Sequence, residues 1–287
     1  MGVEDAVLIR FGRAPRLMLP LYDTIPYRRF PAMNWTLIVL CGLAFFAQLR
    51  DEKDGRDELV EKYGMIPARV AHPERPITIR ERGVARFPEG VREVVVERRL
   101  APLSFSPWWT LLTCCFLHGG WAHVVGNLWM LHIFGDNVED CFGKVGYAIF
   151  YVVCGIAASL LHLLTNWGST IPTIGASGAI AGVMGAYLVL YPRAQVVALI
   201  PIFVVFSAIT VPAYLFLGFW FAMQFFSGVA SIGSAMTGGV AWWAHIGGFA
   251  MGALIALELK RLHRVHPQSA RRVPDHEAWR FRPRIPR

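Results

Sequence analysis

Apolar residues fall into long blocks along the chain, separated by polar runs. Met33–Leu49 is an apolar run of 17 residues, just enough to span about 30 Å of hydrocarbon as a helix. Trp108–Gly135 is also apolar but contains His118, Gly119, Gly120, His123, Asn127 and His132. Its first half is expected to be irregular, with the helix proper starting near Trp121. Val145–Thr165 is an uninterrupted third block. Asn166–Ala176 is a Gly/Pro/Thr turn region, and Ser177–Tyr191 reads as a short fourth helix closed by Pro192 and Arg193. Ala194–Phe226 is too long for one span and contains Pro201 and Pro212. It predicts a membrane-embedded loop over Ala194–Thr210 and a fifth helix from about Pro212 to Ser227. Gly228–Ala244 is Gly/Ser-rich and reads as a surface loop. His245–Leu262 is the sixth helix, ending in Lys260 and Arg261.

The polar stretches complete the plan. Residues 1–32 form a polar cytosolic lead. Residues 33–262 form one membrane-embedded domain with a long polar first loop over 50–107. There Val91–Arg99 is expected to pair with Ile77–Arg82 as a hairpin. Asp136, Glu139, Asp140 and Lys144 predict the next aqueous loop. Residues 263–287 are a basic cytosolic tail, expected to be disordered.

Composition turns these blocks into a membrane protein. Hydrophobic residues make up 55% of the 287 and charged residues 17%, against about 25% charged in a soluble domain. From Val145 to Leu257, 113 residues include no Asp, Glu or Lys and one Arg, Arg193. A water-soluble fold cannot cover its surface with such a stretch, so the chain reads as polytopic. Disorder, a collagen-like fibre and a disulfide-rich secreted domain are excluded. The net charge is +8, but the excess sits in the two termini. That pattern fits cytosolic tails beside apolar spans rather than nucleic-acid binding. Six spans put both termini on the cytosolic side. The absence of a presequence and of a seventh span points to a prokaryotic plasma membrane. The five cysteines lie in or beside apolar segments without a CxxC, and are expected to be buried thiols.

Polar groups at membrane depth are costly and need a reason. In Gly175-Ala176-Ser177-Gly178, small residues surround a serine in the first turn of a short helix. Free N–H groups and the positive dipole end there favour an anion. Those are the requirements of a nucleophile beside an oxyanion donor; an ordinary N-cap serine on a packing helix is the alternative. Gly248 and Gly252, at i+3 and i+7, share a helix face with His245, and Gly178 and Gly182, also four residues apart, follow directly after Ser177. Two such glycine faces let helices approach closely and would bring His245 to Ser177; glycine packing with an incidental histidine is the alternative. His123 and Asn127, at i and i+4, share a third face, suited either to oxyanion donors or to an interhelical contact. With no carboxylate between Val145 and Leu257, a hydrolase built there is a Ser–His dyad. The spacing of His118, His123 and His132 lacks a zinc signature, so no metal or cofactor is expected.

Taken in order on their spans, these motifs resemble the rhomboid family of intramembrane serine proteases, over about Trp108–Gly252. The resemblance implies an all-α membrane protein, a six-transmembrane-helix bundle with a water-filled cavity open to the outer face. It implies Ser177 as nucleophile and His245 as general base. The oxyanion hole would be lined by the Ser177 N–H and the side chains of Asn127 and His123. Its substrates would be single-span transmembrane proteins, met within membrane lipid and cut near the outer leaflet. The sequence departs from many members in having Ala181 where a tyrosine would stack under the histidine. Packing or water is therefore expected to orient His245. A catalytically dead adaptor would lack the dyad. A transporter would show repeats or acidic residues in its spans, and neither occurs.

Overall fold

A computed structural model of the chain describes residues 19–268, except 52–57, 88–89, 203–204 and 233–239. In order, the elements are β1 (Leu19–Asp23), α1 (Ala32–Asp51), α2 (Glu58–Tyr63), α3 (Pro67–Ala71), β2 (Thr78–Phe87), β3 (Gly90–Arg99), α4 (Thr110–Thr113), α5 (Trp121–Phe142), α6 (Lys144–Thr165), α7 (Ser177–Leu190), β4 (Gln195–Ile202), β5 (Val205–Pro212), α8 (Ala213–Ser231) and α9 (Trp242–Arg261). Helices α1, α6, α8 and α9 are long and apolar enough to cross a membrane. In hydrocarbon a backbone must satisfy its own polar groups, and these apolar blocks do so as helices.

The core is organised around α7. Every residue from Gly178 to Tyr187 is buried, and α7 packs on α5, α6, α8 and α9. A helix that is apolar on all sides has to be enclosed in this way. The outer helices instead turn Leu43, Ile149, Leu164, Phe219, Phe226 and Leu254 outward, as a lipid-facing surface requires.

The structure corrects several expectations. The acidic run after Gly135 is not an aqueous loop. Helix α5 continues to Phe142, and Gly143 alone, at φ +71°, separates it from α6. Glu139 points inward. Its carboxylate accepts the backbone N–H groups of Met33 at 3.1 Å and Asn34 at 2.7 Å, capping the start of α1. Buried Asn34 in turn donates to the Leu131 carbonyl at 3.1 Å and accepts from the Tyr147 hydroxyl at 2.8 Å. An acid that hydropathy assigns to water is thus held by a helix N-terminus, whose free N–H groups and dipole suit a negative charge.

The expected embedded loop over Ala194–Thr210 is an antiparallel hairpin. Strands β4 and β5 pair from Gln195↔Pro212 to Ile202↔Val205. Strand β1 adds to the other edge of β4 to give the order β1–β4–β5. The Pro-bounded apolar run can be read as irregular, because the strand that completes the sheet lies far away in the N-terminal lead. The sheet sits at the end of α7 remote from Ser177. Asp23, closing β1, accepts from Asn137 Nδ2 at 2.9 Å and from the Tyr187 hydroxyl. Burial pushes its carboxyl up to about 7.

In the first loop the hairpin is longer than expected, with β2 and β3 paired from Thr78↔Arg99 to Phe87↔Gly90. Arg98 ties it to Glu61 through a two-point ion pair. Helix α8 extends to Ser231, taking the first residues of the expected Gly/Ser loop, and α9 starts at Trp242, ahead of His245. The tail begins docked rather than disordered. Val265 is buried, Gln268 donates to Asp140 at 2.8 Å and Arg28 to the His266 carbonyl at 3.2 Å. The rest of the tail, the first 18 residues and residues 233–239 lie outside the described residues. All five cysteines are free thiols, four of them buried.

Candidate active site

Ser177 is the first residue of α7, so its backbone N–H belongs to the unpaired first turn. The chain reaches it through Gly175, at φ +129°, a conformation that favours glycine. A Cβ there would also lie 2.8 Å from His123 Nε2 and 3.5 Å from Ser177 Oγ, filling the space between them. The first loop clamps this turn. Met65 and Thr173 exchange backbone hydrogen bonds at 3.0 and 2.8 Å, and Gly175 N–H donates to the Cys114 carbonyl at 2.9 Å. Thr113 Oγ1 donates to the Tyr63 carbonyl at 2.7 Å.

Glycine faces set the distance between α7 and α9. A Cβ on Gly248 would collide with the Gly178 carbonyl, and one on Gly252 with the Gly182 carbonyl. On α7, a Cβ on Gly182 would meet Cys154 at 2.5 Å, and one on Gly178 would meet Ala158 at 2.6 Å. Backbone therefore lies directly on backbone, and His245 in the first turn of α9 reaches across. Its Nε2 lies 2.8 Å from Ser177 Oγ. Both residues are half-buried, so the pair is reachable from one side.

The second ring nitrogen has a partner that the sequence reading missed. His245 Nδ1 lies 2.8 Å from Gln224 Oε1, on α8. A carbonyl oxygen only accepts, so the imidazole proton sits on Nδ1. Nε2 is then left as an acceptor for the serine hydroxyl, which is the polarity a general base needs. Trp220, one turn earlier on α8, lies against the ring at 5.8 Å between centroids, and Trp242 meets it edge-on at 6.4 Å. Packing does help to orient His245, but the specific group is Gln224. A lone amide inside a Phe/Trp-rich apolar helix was the signal available to find it.

His123 and Asn127 project from one face of α5. His123 Nδ1 accepts from the Gly119 backbone N–H at 3.2 Å, so its proton is on Nε2, on the side of Gly175 and Ser177. Asn127 is buried, and its Nδ2 has no protein partner among the described residues. A donor amide with nothing to donate to is an unusual expense unless a ligand supplies the acceptor. The preceding segment is held by Gln48 of α1, a second polar residue that the sequence reading missed. Its amide donates to the His118 carbonyl at 3.1 Å and accepts the His118 N–H at 2.9 Å. His118 and His123 are edge-to-face at 5.3 Å, while His132 lies against Trp35. Among the described residues, no three His, Cys, Asp or Glu side chains cluster as a metal site would need.

A family model, the rhomboid domain, matches residues 106–261, more than half of the chain. The chain belongs to the rhomboid family. It is 37% identical to RHOMBOID-like protein 5 of Arabidopsis thaliana over 93 residues, covering 32% of this chain and 29% of that protein. RHOMBOID-like protein 4 of the same plant is 28% identical over 158 residues, 53% of this chain and 34% of the relative. The rhomboid protease GluP of Bacillus subtilis is 37% identical over 86 residues, 30% of this chain and 16% of GluP. In each case about a third or less of the relative's length is matched. With its apolar helices, the chain is a helical, multi-pass membrane protein of this family.

Proposed function

We propose that this rhomboid is an intramembrane serine endopeptidase working through a Ser177–His245 dyad, in a six-span bundle formed by α1 and α5–α9. The observation that carries the reading is the 2.8 Å approach of His245 Nε2 to Ser177 Oγ, in a stretch with no carboxylate from Val145 to Leu257. His245 takes the hydroxyl proton as Oγ attacks the substrate carbonyl carbon. Negative charge develops on the carbonyl oxygen, where the Ser177 N–H, the unpartnered Asn127 amide and His123 Nε2–H supply donors. Collapse breaks the C–N bond, and the protonated His245 gives its proton to the leaving amine. Water, deprotonated by His245, then hydrolyses the acyl-enzyme and restores the hydroxyl.

The substrates are transmembrane segments of single-span proteins, reached from a water-filled cavity at the outer face, with both termini of this chain in the cytosol. A helical substrate hides its carbonyls in i→i−4 bonds, so it has to unwind at the cut. Helix-breaking or small residues near the site favour this. The test is cleavage of a tagged single-span protein co-reconstituted in liposomes. Wild type is expected to cut, and Ser177→Ala and His245→Ala to reduce cleavage to background. Cleavage retained by Ser177→Ala overturns the reading.

A further inference from the structure

Three features of α8 converge on His245. First, α8 seats on α9 through bulky rings. Phe221 stacks on Phe249 at 4.5 Å between centroids and 25°, and Trp220 lies 6.1 Å from Phe249. Farther along, the neighbours of Gly228 are Ile246, Trp242 and Trp243. Second, the rest of this stretch is turned outward, away from the other helices. Phe219, Phe225, Phe226 and Val229 are exposed, and beyond Leu217 only Gln224 and Gly228 of α8 are buried. Third, the single hydrogen bond described between α8 and α9 side chains is the one from His245 Nδ1 to Gln224 Oε1.

We propose that Gln224 is a positioning residue that fixes the tautomer of His245, so that the Ser177–His245 pair becomes competent only while α8 is seated on α9. The inference rests on the dyad reading above and adds a condition to it. Without an acceptor at Nδ1 the imidazole proton can occupy either nitrogen. When it sits on Nε2, the ring points a donor at Ser177 and cannot act as a base. Among the described residues Gln224 is the acceptor that His245 Nδ1 meets, and Ala181, one turn after Ser177, has no polar side-chain atom to offer. Ser177 and His245 are fixed by glycine-packed α7 and α9, but the group that sets the proton belongs to a third helix with a lipid-facing side. If α8 leans outward to admit a substrate helix laterally, the base is switched off. Its return after loading switches the base on.

The experiment compares wild type, Gln224→Glu, Gln224→Met, Phe221→Ala and the double variant Phe221→Ala/Gln224→Met, all reconstituted with a tagged single-span substrate. Gln224→Met keeps the length and removes the acceptor. It is expected to lose about 10- to 100-fold in kcat with KM within about twofold. Gln224→Glu restores an acceptor and is expected to remain within about tenfold of wild type. Phe221→Ala loosens the seat, and is expected to lower kcat when Gln224 is present but to have no further effect in Gln224→Met. A pure gate predicts that Phe221→Ala raises turnover equally in both backgrounds, and that result overturns the proposal. So does Gln224→Met with kcat within about threefold of wild type, or Gln224→Glu as impaired as Gln224→Met while both melt like wild type. If Gln224→Met does not fold, the sign of the Phe221→Ala effect on kcat decides. Ser177→Ala and His245→Ala run in parallel. If they still cut, the dyad reading fails; if they are inactive and Gln224→Met is not, only the present proposal fails.

Discussion

Helix α9 makes two interfaces of opposite kinds. Toward α7 it presents Gly248 and Gly252, and the backbones touch with no side chain between them. Toward α8 it presents His245 and Phe249, and beside the seat of Gly228 on Ile246 the contact is made by rings and one hydrogen bond. Glycine contact has a single geometry, because any added atom collides with a carbonyl. Ring contact tolerates sliding and tilting, because long side chains change rotamer at low cost. The first interface therefore holds the Ser177–His245 distance, and the second suits a helix that moves. The proposed intramembrane hydrolysis would use both: reacting atoms at fixed separation, and a wall that admits a substrate helix from lipid.

The largest expected effects come from destroying the first interface or a group proposed to act beside Ser177. Gly248→Leu drives a side chain into the Gly178 carbonyl. Overpacking of this kind costs about 1–3 kcal/mol or more, so both activity and the melting temperature in detergent should fall. A Gly248→Leu protein with wild-type turnover would show that the helices are free to separate. Asn127→Ala removes the proposed oxyanion donor without touching either interface. It is expected to lower kcat by roughly 10²- to 10³-fold while leaving the melting temperature unchanged. A comparable loss in stability would assign Asn127 to packing instead.

Two smaller effects sharpen the contrast from outside the site. Glu139→Ala uncaps α1 and leaves buried Asn34 without its N–H acceptor. About 1–2 kcal/mol of stability should be lost, with kcat nearly unchanged, as read by thermal unfolding beside a cleavage assay. The smallest effect concerns Asp23, whose carboxyl burial raises to about 7. A raised folded value means that the neutral acid is the stabilised form. Its contribution is complete below the ordinary carboxylate range and is lost as pH rises through about 7. Hydrogen-exchange protection at β1, taken relative to the intrinsic exchange rate at each pH, should therefore fall between about pH 4 and 7 in wild type. Asp23→Asn should flatten that dependence; an unchanged slope would place the titration elsewhere.

Much of this was legible in one dimension. Apart from the C-terminal end of α5, which runs seven residues past its apolar block, the apolar blocks located the long helices to within a few residues, since in lipid the helix is the only open-chain way to satisfy a backbone. The glycine spacings around Ser177 and His245 announced a close approach, because a repeat of four on a helix defines a face whatever the neighbours are. Ser177, His245, His123 and Asn127 all stand out in the sequence by such local patterns.

What local pattern misreads is any group whose partner is remote in sequence. Glu139, Asp136 and Asp140 look like solvent-exposed loop residues. In the fold Glu139 caps a helix more than a hundred residues earlier and Asp140 binds Gln268. The Ala194–Thr210 segment becomes a strand pair because β1, supplied by the N-terminal lead, covers its edge. Gln224 is a stray amide until α8 lies beside α9, when its oxygen meets the one histidine nitrogen that Ser177 does not. Helix location, the glycine faces and the residue types of the site belong to the sequence, because each follows from the spacing of near neighbours. The caps, the sheet and the orientation of His245 belong to the tertiary structure, because a hydrogen bond needs both partners in place before either has a meaning.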